Sequence, residues 1–353
     1  MTIKEVAREA GVSVATVSRV VNEKGPVREA TRRRILQVVE KLRYAPHGAA
    51  RSLITRKTRT LGVLLPDLFG EFFSEVIRGI DVAARARGYH LLVSGYHEDR
   101  AETQELLRAM RGRVDGLIAL SPELDAQAFE ENLPAGFPVV FLNGLVRKGG
   151  YSSIRVDNYG GAFAMTRHLI GLGHRRIVFV AGPEGNHDAS ERQRGYRDAL
   201  RRQGGSRALE IPGDFREETG YRAAPQILRA RPSPTAVFAA NDAMAIGLLC
   251  AFRERQVRVP EDVALAGFDD IPIARFITPP LTTVRVPIAT LGSRATARLL
   301  QALEGAGGRS RPEETLATTL VVRSSCGSPS GAGEDMEEID ERRFAIVRKE
   351  DSR

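Results

Sequence analysis

Nowhere in its 353 residues does this chain approach the ~18 consecutive apolar positions that a membrane span requires. Its opening run, MTIKEVAREAG, places charges where the apolar core of a signal peptide would lie. Together these absences lead to the expectation of a cytoplasmic protein with no membrane partner. Cysteine is scarce: Cys250 and Cys326 stand alone, without metal or redox spacing, so two unpaired thiols are expected. The six histidines (His47, His90, His97, His168, His174 and His187) include no i, i+4 pair, and no metal site is expected. Also missing are the G-x-S-x-G nucleophile elbow, the Walker loop and the dinucleotide G-x-G-x-x-G. No cofactor is expected, and an enzyme becomes the weaker reading.

What the chain does have is a lopsided charge. Its net charge is +8, with 52 Lys and Arg against 44 Asp and Glu. Residues 1–59 hold 14 of the basic and 5 of the acidic residues, a net of +9, which leaves 38 against 39, or −1, for residues 60–353. A small basic module on a near-neutral body is the electrostatic footprint of nucleic-acid binding. A merely solvated basic surface is the plainer alternative.

Residues 2–22 read TIKEVAREAGVSVATVSRVVN. Thr2 and Glu5 have capping-box spacing, which starts a helix at Ile3 with Ile3, Val6, Ala7 and Ala10 as its apolar stripe. Gly11 is placed to end it in a left-handed turn. Ser13 can cap a second helix, Val14 to Val21, that Asn22 closes. A third fits Glu29 to Leu42, burying Ile35, Val38, Val39 and Leu42. Two short helices around a glycine turn make a helix-turn-helix. Val17, Val20 and Val21 serve its core, and Val14, Ala15, Ser18 and Arg19 face outward. Arg19 can read guanine through two hydrogen bonds, whereas Val14 and Ala15 offer only apolar contact.

The run T-I-x-x-V-A-x-x-A-G-V-S-x-x-T-V-S-R-V-V-N resembles the DNA-binding signature of the LacI–GalR regulator family. The resemblance implies base reading by Val14, Ala15 and Arg19, and phosphate contacts by Ser13, Thr16, Ser18 and Asn22. Beyond Pro46, the segment Ala49-Ala50-Arg51-Ser52-Leu53 offers a helix too short to stand alone. It is similar to the family's hinge helix, which pairs with its twin on DNA and wedges a leucine into the minor groove; Leu53 matches that position. His47 stands where the family usually has Asn, and Gly48 weakens the helix. A plain interdomain linker is the alternative.

From Leu61 onward apolar runs alternate with helical stretches. The runs fall at 61–67, 90–96, 115–121 and 138–143, then at 152–158, 176–183, 235–242 and 263–270. Near-continuous apolar runs suit parallel strands buried on both faces, and the alternation implies βαβ units in doubly wound sheets. Two series of four suggest two similar lobes. Polar residues collect at the carboxyl ends of the runs, namely Asp67, Asn143, Asp157, Asn241, Asp242, Asp269 and Asp270. Open α/β sheets bind ligands there, although any one of these residues can equally cap a following helix.

The family resemblance continues through GYHLLV, GHRRIVFVAGP, ERQRGYRDAL, AANDAMAIG and AGFDDIPIARFITPPLTTV, and so spans roughly residues 1–323. It implies an α/β fold in two parts: a three-helix helix-turn-helix domain, and a two-lobed periplasmic-binding-protein-like domain of doubly wound parallel sheets. The expected divisions are 1–45 for DNA binding and 46–59 for the hinge, then 60–157 with 288–314 for a first, dimerising lobe. A second lobe takes 158–287 with 315–323, and an acidic, small-residue tail without apolar periodicity takes 324–353. For the effector site the resemblance implies Phe72 and Phe73 as an aromatic pair, Asn143 at a hydroxyl-binding position, Arg192 as a ligand clamp, and Asn241 and Asp269 as polar contacts. Phe72 and Phe73 could instead be core packing. Apolar Val286 replaces a polar family position, so the ligand set differs from that of the lactose-sensing member. The function implied is a homodimeric regulator, a repressor of pseudo-palindromic operator DNA, controlled by a small molecule. Sugar is the first choice and a purine or nucleoside the second. An enzyme or a solute-binding protein on the same fold is the remaining alternative.

Overall fold

The computed structural model describes residues 1–21, 25–44, 57–96, 100–120, 126–143, 151–202, 208–305 and 313–327. The N-terminal module is three helices, α1 (Ile3–Glu9), α2 (Val14–Val21) and α3 (Glu29–Lys41). The expected capping box is present. The Glu5 amide donates to Thr2 Oγ1 at 3.4 Å, and the Thr2 amide donates to the Glu5 carboxylate at 2.7 Å. Gly11 takes φ 59°, and Ser13 Oγ accepts from the Thr16 amide at 3.2 Å to start α2. Val6, Val17 and Ile35 are fully buried at the meeting of the three helices. Each such side chain stabilises by about 1.5–3 kcal/mol, most of what a module this small can gather.

The body contains two parallel sheets. The first has the order β2-β1-β3-β4-β5-β11, built from β1 (Thr60–Leu65), β2 (His90–Gly95), β3 (Gly116–Leu120), β4 (Val139–Leu142), β5 (Ser152–Val156) and β11 (Glu314–Leu316). The second has the order β7-β6-β8-β9, from β6 (Ile177–Val180), β7 (Leu209–Ile211), β8 (Ala236–Ala239) and β9 (Ala264–Ala266). In each, the first strand of the lobe lies between its second and third, which puts a topological switch point beside β1 and beside β6. A short antiparallel pair, β10 (Thr283–Arg285) with β12 (Thr319–Val321), runs alongside the crossings between lobes.

Three expectations need correction. The run at 152–158 does not open a second series: β5 pairs in parallel with β4 and closes the first sheet's core. The second sheet instead gains β7, whose three residues are too short to show a period. β11 pairs with β5 through Leu316, so the last return to the second lobe falls after Leu316 rather than at 314/315. Residues 324–326 are not tail. They form a 3-10 turn with Ser325 and Cys326 buried, where Ser325 Oγ donates to Leu265 O at 2.6 Å. Both cysteines are free thiols.

Three helix pairs clothe the sheets, and each meets at glycine. They are α4 (Glu71–Arg85) with α11 (Ile288–Leu303), α7 (Asn158–Gly171) with α8 (His187–Arg202), and α9 (Glu217–Arg229) with α10 (Asp242–Glu254). A Cβ on Gly79 would lie 2.1 Å from Ala289 O, one on Gly195 2.4 Å from Tyr159 O, and one on Gly247 1.9 Å from Glu217 O. Backbone cannot yield as a side chain does, so these crossings are set by the missing Cβ atoms. At the first lobe's base, the Asp115 carboxylate accepts from Thr58 N at 2.6 Å, Thr58 Oγ1 at 2.8 Å and Arg59 N at 3.0 Å, which anchors the chain just before β1. Gly247→Ala should force α9 and α10 apart. Overpacking of this kind costs about 1–3 kcal/mol, and a fall in Tm of several degrees by calorimetry is the expected reading.

Candidate functional site

Two surfaces carry chemistry. Ser13, just before α2, is exposed; on α2 Ala15 and Arg19 are exposed and Val14 is 40% exposed, while Val17 and Val20 are buried. Helical spacing thus divides the segment into a core face and an outward face. Thr16 and Ser18 are half-buried at the margin, and Thr16 Oγ1 lies 2.9 Å from Ser13 Oγ. The outward face presents one guanidinium, small apolar groups and hydroxyls, a set able to read base edges and grip phosphate. Asn22 and Leu53 lie outside the described residues, as does most of 46–59.

The second surface lies at the carboxyl ends of the two sheets. Three contacts bring those ends face to face. Asn143, just past β4, hydrogen-bonds toward Asp188 in the first turn of α8. The Ile273 amide donates to Glu71 at the start of α4 at 2.9 Å, and Arg216 lies 3.5 Å from Asp67.

Arg192 is the hub of this crevice. It sits one turn after Asp188 on α8 and is 5% exposed. Its Nε donates to Asn158 Oδ1 at 2.8 Å and its Nη1 to Ala240 O at 2.6 Å, while Nη2 lies 3.1 Å from Asp269 Oδ1. The guanidinium lies 3.9 Å from the Phe268 ring centre and 5.5 Å from that of Phe215. It is therefore a strut of the second lobe as well as a candidate clamp.

The string of polar strand ends divides by use. Asp157 caps α7, accepting from the Gly160 amide at 2.8 Å. Asn241 is occupied at both ends of its amide, accepting from Met244 N at 3.0 Å to cap α10 and donating to Phe215 O at 2.8 Å. Asp242 is fully buried between Thr283 Oγ1 at 2.6 Å and the Ile271 amide at 2.9 Å. Asp270 is held by Arg285 at 2.8 Å and Arg323 at 2.7 Å. Asn143 and Asp269 differ from these: each is buried, and each keeps an Oδ1 without a hydrogen-bond partner. Asp269 Oδ1 is close enough to Arg192 for charge but not aligned for a bond.

Backbone strain gathers at the same place. Asn143 (φ 58°), Phe215 (φ 69°), Asp269 (φ 114°) and Asp270 (φ 55°) all adopt positive φ just past strand ends. Such conformations cost about 1–3 kcal/mol each and persist where the surroundings impose them, often at ligand sites. Phe72 and Phe73, half-buried in the first turn of α4, meet edge to face at 5.6 Å and also pack against the core.

Asp188, Phe215 and Asn158 were not read from sequence as site residues. For Asp188 the signal was available: it stands i, i+4 to Arg192 on one helical face. For Phe215 and Asn158 no local signal distinguishes them, since their role depends on Arg192 reaching them from another element. Among the described residues no group of three or more His, Cys, Asp or Glu could hold a metal, and no helix is long and apolar enough to cross a membrane.

Asp188 keeps part of its surface open to the crevice, but desolvation by the surrounding walls raises its carboxyl to about 7, with Arg192 opposing, Asp269 adding to the rise and the Asn143 hydrogen bond offsetting part of it. Burial likewise raises Asp269 to about 6 against the pull of Arg192. A carboxyl harder to ionise in the folded chain than in the unfolded one withdraws stability as pH climbs from about 4 through 7. Asp188→Asn should therefore flatten the fall in Tm between about pH 5 and pH 8 and melt higher than wild type at the upper end. A scan of Tm against pH for both proteins gives the answer, and parallel curves would contradict it.

A basic helix-turn-helix joined to a two-lobed crevice defines a DNA-binding regulator with a small-molecule site. Comparison with known proteins agrees. Residues 2–47 match the family model of bacterial regulatory proteins, lacI family, and residues 166–326 that of a periplasmic binding protein-like domain. The transcriptional regulator GalR of Salmonella typhimurium is 35% identical over 338 residues, covering 94% of this chain and 98% of that one. The ribose operon repressor of Escherichia coli K12 is 37% identical over 299 residues, covering 83% and 90%. Among solved structures, the lac repressor dimer bound to operator and the anti-inducer ONPF is similar with a TM-score of 0.83 at 30% identity, covering 92% of this chain and 99% of that one. The complex of the regulator CelR with cellobiose gives 0.70 at 32%, with the same coverage. The chain belongs to the LacI family of bacterial transcriptional regulators.

Proposed function

We propose that this protein is a cytoplasmic, homodimeric repressor of pseudo-palindromic operator DNA, and that a sugar bound between its lobes resets its DNA affinity. The observation that carries the reading is a pair of buried oxygens, one from each lobe: Asn143 Oδ1, which has no hydrogen-bond partner, and Asp269 Oδ1, which is met only by the charge of Arg192. A buried acceptor without a hydrogen bond is costly, and a hydroxyl-rich ligand can donate to both oxygens at once. A ligand held by both lobes favours one relative angle of the two. Through Leu61–Leu65 and the linker before it, that angle fixes the spacing of the two DNA-binding modules. Arg19 reads a base in each half-site, Val14 and Ala15 add apolar contacts, and Ser13, Thr16, Ser18 and Asn22 hold phosphates. Leu53 enters the minor groove at the operator centre.

The named ligands and assemblies of the relatives support this: cellobiose on CelR, ribose in the name of the ribose operon repressor, and a dimer on operator for the lac repressor. A purine or nucleoside is the second reading. It is favoured by the half-buried rings that the two lobes supply, Phe72 and Phe73 from one and Phe215 from the other, and a PurR relative from Erwinia tasmaniensis is 35% identical.

Selection of bound duplexes from a random pool by the intact chain tests the DNA half. A symmetric site whose affinity falls steeply with salt is expected. Arg19→Ala should then lose about 1–3 kcal/mol of discrimination at one base pair of each half-site; uniform weakening on every sequence would make Arg19 a phosphate contact. For the effector half, Asp269→Asn should weaken the effector's influence on operator binding by roughly tenfold or more in an anisotropy titration. An unchanged response would remove Asp269 from the site.

A further inference from the structure

The charge balance of the crevice narrows the ligand further. Asp188 and Asp269 flank one guanidinium, that of Arg192, which is already turned onto Asn158, Ala240 O and Asp269. Among the described residues, two further arginines at the crevice are matched with carboxylates. Arg155, which acts on Asp188 from the first lobe, is ion-paired with Glu313, and Arg216 lies against Asp67. Asn143 Oδ1 has no hydrogen-bond partner, Asp269 Oδ1 has only the charge of Arg192, and both are acceptors. We infer that the crevice takes an uncharged ligand that meets it as a hydrogen-bond donor, and that it discriminates against the phosphorylated or carboxylated form of the same molecule.

The physical reason is desolvation. An anion entering this site surrenders its water, meets two carboxyls, and finds the nearest cation already engaged. A hydroxyl or N–H group satisfies Asn143 and Asp269 without importing charge. Asp188 supports the same choice. Desolvation and Asp269 hold its carboxyl at about 7, so near neutrality it can serve a ligand either as acceptor or, protonated, as donor. A bound anion would oppose its ionisation, whereas a hydroxyl accommodates both states. Because Asp188 and Asn143 come from different lobes, a donor placed between them also ties the lobes together.

The inference rests on the reading of this crevice as the effector site, and the experiment separates the two. Full-length protein is titrated by calorimetry near pH 8 with matched pairs: galactose and galactose-1-phosphate, galactose and galacturonate, ribose and ribose-5-phosphate, adenosine and adenosine monophosphate. In whichever pair binds, the uncharged member should bind at least about tenfold more tightly. Asp188→Asn, which is near-isosteric and removes one negative charge, should narrow that gap. A phosphorylated or carboxylated member that binds more tightly than its parent, and loses that affinity in Asp269→Asn, would overturn the charge inference while leaving the crevice as the site. A compound that binds wild type, Asp188→Asn and Asp269→Asn equally would instead show that effector binding lies elsewhere, and both readings would fall.

Discussion

A single buried guanidinium organises the second lobe's strand ends. Arg192 joins the crossing residue Asn158, the end of β8 at Ala240 and the strained corner at Asp269, and it lies against the faces of Phe268 and Phe215. Few side chains could do this. Lysine offers one compact charge, whereas arginine offers a planar fork that bonds in several directions and stacks at the same time. Removing either charge of the buried pair would strand the other, which is far more costly than the net worth of the pair. Position and charge in the crevice are therefore not separable: what aligns the walls also sets their electrostatics.

That coupling explains how the polar strand ends are used. Seven acidic or amide residues stand at the carboxyl ends of apolar runs, and in sequence they are equivalent. In the fold, Asp157, Asn241, Asp242 and Asp270 are consumed by caps and ion pairs. Asn143 and Asp269 keep an oxygen in reserve. The difference comes from backbone geometry. Both stand in turns of positive φ just past strand ends, where no following helix start takes the side-chain oxygen. A buried acceptor without a hydrogen bond is costly, which sets these two strand ends apart from the other five.

The features legible in the sequence were those with short-range causes. The capping box at Thr2 and Glu5, the left-handed Gly11 and the valine spacing on α2 follow from neighbours a few residues apart, and the structure repeats them. The βαβ alternation was equally legible. Strand pairing was less so: the run at 152–158 reads as opening a second series, yet 152–156 joins the preceding β4, and 314–316 joins β5 across more than a hundred residues of intervening chain. Site residues followed the same division. Arg192 and Asp269 are candidates through the family resemblance, and the signal for Asp188 is its spacing of four from Arg192 on one helix. Phe215 could be found only once the cation above it had been placed.

The anchoring of Thr58 and Arg59 onto the Asp115 carboxylate bears on how motion leaves the body. Three charge-assisted bonds fix the point where the chain departs toward the DNA-binding module, so the joint has little backlash. A rotation of the first lobe by a few degrees reaches Thr58 and Arg59 as the same few degrees. Whatever the first lobe does, the point at which the chain leaves it moves as part of that lobe, as a bracket moves with the wall that carries it.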